Sequence, residues 1–172
     1  MPDLLVKLYE LPDISRLLCQ LQDRGIFIRR AFSPERHTIV QWVGEYFGAV
    51  WADETGAAVS QEPSTCLIAV QKDLEQQVAR EPYDQSPQRM VGFACYNARF
   101  KGLFGPTGVR EDYRGQGIGK ALLVATLKTM WESGYAYAVI YWAGPIDFYA
   151  KAVGATVIPG SEPGPFQGYL MS

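Results

Sequence analysis

Apolar residues recur along this chain with two different periods. At Ile14, Leu17, Leu18 and Leu21 the spacing is that of one helical face, and Gly25 supplies a stop. Pro12-Asp13-Ile14-Ser15 reads as the entry to that helix, with proline inside the first turn. Residues 4–9 alternate weakly and are β-prone, and residues 26–31 read as a strand. Ser33 then stands as N-cap, and Pro34 as first residue, of a helix that puts Ile39, Val43, Tyr46 and Phe47 on one side and ends near Gly48. Residues 52–63 are polar and small and predict a loop or a short helix. Apolar runs within residues 64–71 and 90–96 predict two buried strands. Residues 72–89 between them, rich in Gln, Asp, Glu and Pro, predict an exposed excursion.

Residues 99–109 are β-prone but interrupted by Gly102, Gly105 and Gly108. Glycine inside a strand suggests a bulge or the close approach of another molecule. The clearest helix begins at Gly117. It carries Ile118, Leu122, Leu123, Leu127, Met130 and Trp131, with Lys120, Lys128 and Glu132 opposite and Gly134 at its close. Residues 135–142 form an apolar, aromatic strand, and residues 145–153 a short helix ended by Gly154. Residues 155–158 and 166–171 read as two short strands, joined as a hairpin by the loop 159–165. Helices and strands alternate, which predicts a two- or three-layer α/β domain around a mixed sheet.

The chain of 172 residues suits one domain, with an N-terminal strand and helix over residues 1–25 leading into a core over residues 26–172. A formal net charge of −2 gives no basic footprint for nucleic acid. Arg29 and Arg30, and Arg99 with Lys101, read as ordinary solvated charge. The start of the chain does not read as a signal peptide, because Lys7 and Glu10 break its apolar stretch. No apolar run reaches the roughly 20 residues of a membrane helix. Cys19, Cys66 and Cys95 are odd in number and widely spaced, which predicts reduced thiols in a cytoplasmic protein. The one histidine, His37, lies in a polar stretch and reads as a surface helix residue; no metal site is expected.

The chemistry concentrates where the best helix begins. Gly115, Gly117 and Gly119 alternate through Arg114-Gly115-Gln116-Gly117-Ile118-Gly119, followed by Lys120. A helix N-terminus presents N–H groups without partners and a partial positive charge, and glycine lets a phosphate reach them. The loop therefore predicts a phosphate-bearing ligand. It is not a P-loop, because Arg114 stands at the first glycine and Ala121 at the hydroxyl position. It is not a dinucleotide fingerprint either, since the spacing is G-x-G-x-G and residues 110–114 separate it from the strand.

The segment from Val109 to Leu123 resembles the coenzyme A signature of the GNAT N-acetyltransferase superfamily, Arg/Gln-x-x-Gly-x-Gly/Ala, met by Arg114, Gly117 and Gly119. Downstream, Phe148-Tyr149-Ala150-Lys151-Ala152-Val153-Gly154-Ala155 is similar to the family's Phe-Tyr-x-Lys-x-Gly-Phe segment, with one residue inserted before the glycine. The resemblance covers residues 90–156. It implies a mixed, mostly antiparallel central sheet in which two parallel strands, residues 103–109 and 135–142, splay apart, with helices on the flanks. It implies acetyl-coenzyme A as co-substrate. The backbone of Thr107 and Val109 would pair with the pantetheine, and the amides of Arg114, Gly115, Gln116, Gly117, Ile118, Gly119 and Lys120 would hold the pyrophosphate.

The reaction so implied is transfer of an acetyl group to a primary amine of a small molecule or peptide, with no metal and with homodimers common among relatives. Tyr149 takes the family's general-acid position, beside the alternative of a packed aromatic. Residues 99–109 contain no carboxylate to act as base, and Glu111 and Asp112 read as solvated loop charges. Trp142 stands where the family often has Asn, which leaves open a non-catalytic acyl-coenzyme A-binding module. The acceptor site is expected between the helix ending near Gly48, with Trp42, Tyr46, Phe47 and Trp51, and the hairpin carrying Phe166.

Overall fold

The computed structural model describes residues 1–72, 88–165 and 168. The strands are β1 (Leu4–Lys7), β2 (Ile26–Arg30), β3 (Cys66–Lys72), β4 (Gln88–Tyr96), β5 (Leu103–Val109), β6 (Tyr137–Ile140) and β7 (Thr156–Val157). The helices are α1 (Ser15–Gln22), α2 (Arg36–Phe47), α3 (Ala49–Val59), α4 (Ile118–Glu132) and α5 (Ile146–Val153). Among the described residues these seven strands join one sheet in the order β2-β3-β4-β5-β6-β1-β7. Every neighbouring pair is antiparallel except β5 and β6, which are parallel. The mixed, mostly antiparallel sheet flanked by helices is the fold that the resemblance implies. Among the described residues no helix is long and apolar enough to cross a membrane.

Alternation along the central strands divides the core between the two sheet faces. On β3, Leu67 and Ala69 face one cluster with α1, α4 and α5, while Cys66, Ile68 and Val70 face the other with α2 and α3. On β4 the register slips between Ala69 and Val70 of its neighbour, so that Val91 is the extra residue. That bulge turns Val91 toward the α4 face, while Phe93 and Cys95 stay with α2 and α3. The result is three layers.

Several local readings shift. Helix α1 begins at Ser15, and Pro12 lies before it; the Asp13 carboxylate accepts from the Ser15 amide at 2.9 Å and from its hydroxyl at 2.6 Å. Ser33 and Pro34 form a short 3₁₀ turn ahead of α2, where the Glu35 carboxylate accepts from the Phe32 amide at 2.9 Å. Of the two expectations for residues 52–63, loop or short helix, the structure takes the helix and starts it earlier, over residues 49–59. Small residues allow it: a side chain on Gly56 would meet Arg36 and Val40 of α2, at 2.9 and 3.2 Å. The strands around the excursion extend to Lys72 and start at Gln88; residues 73–87 lie outside the described residues. The strand expected over residues 166–171, and with it Phe166, also lies outside them, Gly168 excepted.

β1 enters the sheet from the far end of the sequence. It pairs Leu4 with Ile140 of β6 and with Val157 of β7, both antiparallel. Its alternate residues Leu4 and Val6 are wholly buried, which fixes its register through the core.

Candidate active site

The parallel ladder between β5 and β6 is short. It pairs Leu103 with Val139 and Phe104 with Ile140, and among the described residues it stops there. On the other side of β5 the register slips between Ala94 and Tyr96 of β4, which leaves Gly105 and Pro106 as a bulge opposite Cys95. A bulge bends its strand, and proline has no N–H to offer a neighbour. The second half of β5, with Thr107, Gly108 and Val109, thus runs on beyond β6 toward the glycine loop.

At that loop Gly115 and Gly117 have φ of +75° and +86°. The left-handed region is open to glycine at little steric cost. Gly117 is the N-cap of α4 and no side chain caps it; the first helical bond runs from the Ala121 amide to the Gly117 carbonyl at 3.0 Å. Arg114 is already committed, its amide to the Glu111 carbonyl at 3.1 Å and its Nε to the Val109 carbonyl at 3.1 Å. Its amide therefore serves the turn and not the loop's donor array. The amides of Gly115, Gln116, Gly117, Ile118, Gly119 and Lys120 meet no acceptor among the described residues. A successive run of such donors at the start of a fifteen-residue helix is an anion cradle.

α1 backs the loop. The side chain of Leu17 packs against Gly117, so that a Cβ there would lie 2.8 Å from Leu17 Cδ1. From the turn after α1, Arg24 donates to the Gln116 carbonyl at 3.0 Å and to its side-chain oxygen at 3.3 Å. Sequence reading missed Arg24, since nothing in its own neighbourhood points across 92 positions to the loop.

Two cavities open along β5. One, of about 420 Å³, runs past Thr107, Gly108, Val109, Arg114 and Gly119 to Tyr149 of α5. Here the expected residues Thr107, Val109, Arg114, Gly119 and Tyr149 come together. Tyr149 is 8% exposed, and burial raises its phenol above the usual value. The other cavity, also about 420 Å³, begins at Phe104, Gly105 and Pro106 and reaches Tyr141 and Trp142. Phe47 and Trp51 wall both, with their rings stacked at 5.7 Å and 18°. Trp42 instead packs on Tyr46, Phe47 and Phe93.

Glu54 of α3 and Arg99, after β4, also line the second cavity and form an ion pair there. Arg99 is not a solvated charge, as the sequence suggests. Its side chain is 17% exposed, and its guanidinium lies 4.9 Å from the centre of the Tyr141 ring. Arg29 and Arg30 are likewise engaged, with Glu35 and with the Ser64 carbonyl. His37 is an exposed residue of α2, as read. Among the described residues no cluster of three or more His, Cys, Asp or Glu could hold a metal ion.

The acetyltransferase (GNAT) family profile matches residues 36–155. The chain belongs to that family. A search of curated proteins finds no match. Among solved structures it is similar to a GCN5-related glucosamine N-acetyltransferase region of a fungal multi-domain GH3 β-N-acetylglucosaminidase, at 15% identity and a TM-score of 0.68, over 91% of this chain and 19% of that one. It is similar to a GCN5-related N-acetyltransferase from Sphaerobacter thermophilus, at 20% identity and TM-score 0.64, over 91% of this chain and 48% of that one. A third, from Kribbella flavida, gives 18% identity and TM-score 0.54, over 91% and 53%. The chain thus spans about half the length of the two bacterial proteins and a fifth of the fungal one. At these identities the likeness is one of fold.

Proposed function

We propose that this GNAT chain transfers an acetyl group from acetyl-coenzyme A to a primary amine of a small molecule or peptide. The carrying observation is the run of amides at residues 115–120, without acceptors, at the end of a cavity that follows β5. These donors suit a diphosphate, and Arg24 steadies the loop through Gln116. The amides of residues 115–120 hold the pyrophosphate, with the Arg114 side chain beside them rather than its amide. Thr107 and Val109 offer the backbone of β5 to the pantetheine amides, on the stretch that β6 does not reach.

Acetyl-coenzyme A supplies an activated acyl thioester. Tyr149, at the wall of the same cavity, holds a proton that it can give to the departing sulfur. Burial keeps that phenol protonated through neutral pH, as a general acid requires. Phe47 and Trp51 wall both cavities, and the amine approaches through the second one. Isothermal titration with coenzyme A tests the reading: micromolar binding that is lost in Gly117→Glu supports it, and no binding at millimolar ligand removes it. Binding without saturable thiol release for any amine in a broad panel would leave a non-catalytic acyl-coenzyme A-binding module.

A further inference from the structure

The acceptor side of the proposed reaction has a second requirement that β5 does not meet. At neutral pH a primary amine is an ammonium, which cannot attack a carbonyl carbon until a base takes a proton. β5, Leu103–Val109, carries no carboxylate. The cavity that starts at its bulge does, from another element. Among the described residues the charged and titratable side chains lining it are Glu54 from α3, Arg99 from the turn after β4, and the Tyr141 phenol from beyond β6. Trp51, Tyr141 and Trp142 line the same space. Aromatic faces attract a cation, and they accept the apolar face of a ring.

We propose that Glu54 is the proton acceptor for the incoming amine, and that its cavity selects a primary ammonium borne on a ring-shaped or flat apolar body. The proposal rests on the acetyl-transfer reading above. Glu54 has a side chain only 14% exposed, and loss of hydration lifts its carboxyl above the usual glutamate range, against the opposing pull of Arg99. That is the direction a base working near neutral pH needs. Arg99 bonds to Glu54 and holds its carboxylate in place, itself seated against the Tyr141 ring. In the reaction Glu54 takes one proton from the ammonium and passes it to bulk water. The neutral nitrogen bonds to the acyl carbon as the carbon–sulfur bond breaks. The sulfur takes a proton from Tyr149, and the nitrogen's second proton restores the phenol. The sum is amide, thiol and one released proton.

A purely structural ion pair, tying α3 to the β4–β5 turn, would have the same geometry, so the test must move something that such a pair would not. In carbon-detected NMR with glutamate labelled at the side-chain carboxyl, the resonance missing from Glu54→Gln should titrate above the ordinary value of about 4.3. It should move further up in Arg99→Met, because the charge that holds it down is gone. Thiol release from acetyl-coenzyme A is then followed with 2-phenylethylamine, glucosamine and glycinamide. Glu54→Gln should lower kcat/KM by about 100-fold or more and abolish the acidic limb of the pH profile, with coenzyme A affinity unchanged by calorimetry. Glu54→Asp should recover part of the rate. Arg99→Met should shift the acidic limb upward, and this decides the matter if Glu54→Gln does not fold. The two ring-bearing amines should exceed glycinamide in kcat/KM by about 10-fold or more, as one to two ring-face contacts allow, the ammonium being common to all three. A wild-type enzyme that acetylates these amines while Glu54→Gln keeps its pH profile overturns the proposal and leaves acetyl transfer standing. Preference for glycinamide overturns the selectivity. Coenzyme A binding with no amine acetylated by the wild type overturns both the base and the acetyl-transfer reading.

Discussion

The amide of Trp142 donates to the carboxylate of Asp3 at 2.9 Å, across 139 positions of the chain. Asp3 is buried, and its own amide is held by the Ser161 hydroxyl at 2.9 Å. Trp142 has φ of +50°, a conformation that a bulky residue adopts only when its surroundings impose it. One side chain at the start of β1 therefore fixes the turn that presents Trp142 to the second cavity. Asp3→Ala removes the charged acceptor of a partly buried amide. The expected loss is about 1.5–3 kcal/mol by urea unfolding, with a raised KM for the amine and little change in KM for acetyl-coenzyme A.

Gly117 should tolerate no side chain. Alanine there would meet Leu17 Cδ1 at 2.8 Å and would hold φ at +86°, at about 1–2 kcal/mol for the left-handed backbone alone. Gly117→Ala should weaken coenzyme A binding in calorimetry. Leu17→Ala added to it should restore part of the affinity, since it relieves the contact but not the backbone. Full restoration would show that only crowding was at stake.

Gly108 tests the shared wall. A Cβ at that position would lie 2.6 Å from Cε1 and 2.7 Å from Cζ of Phe47, whose ring must then move. Gly108→Ala should cost about 1–3 kcal/mol of stability, as overpacking does, and raise KM for both substrates because Phe47 walls both cavities. A change confined to one KM would argue against a common wall.

Tyr149→Phe should keep coenzyme A affinity and slow turnover by about 100-fold. In the wild type, burial raises the phenol, so any fall in rate from its ionisation should come only above the ordinary tyrosine value of about 10. Unchanged turnover in the phenylalanine variant would withdraw the general-acid role.

Glu35 should make stability depend on acid. Arg29 donates to both its oxygens, at 2.6 and 2.9 Å, and these bonds, with the Phe32 amide, hold its carboxyl below the usual range. A carboxylate lowered by folding adds stability above its unfolded value of about 4.3, and that contribution fades as pH falls through the lower folded value. Unfolding of the wild type below about pH 4.3 should therefore be more acid-sensitive than that of Glu35→Gln. Parallel pH curves would contradict it.

What the chain determines by itself is what neighbours in sequence can encode. The period of Ile118, Leu122, Leu123 and Leu127 sets α4, and the alternating glycines before it set a donor-rich helix entry; both are short-range properties of the backbone. Strand β5 was legible within residues 99–109, its start at Leu103 being what the resemblance implies, and so was the chance of a bulge at its glycines. α3 was legible only as the alternative to a loop, because the face it turns to α2 holds small residues, Ala52 and Gly56, which become a packing surface only once α2 lies close. Tertiary structure alone decided that β1 sits between β6 and β7, that Arg24 reaches Gln116, and that Glu54 meets Arg99 across 45 positions. The physical reason is the same in each case. Pairing across a sheet and burial of a charge depend on which surfaces folding brings together, and no local spacing carries that information.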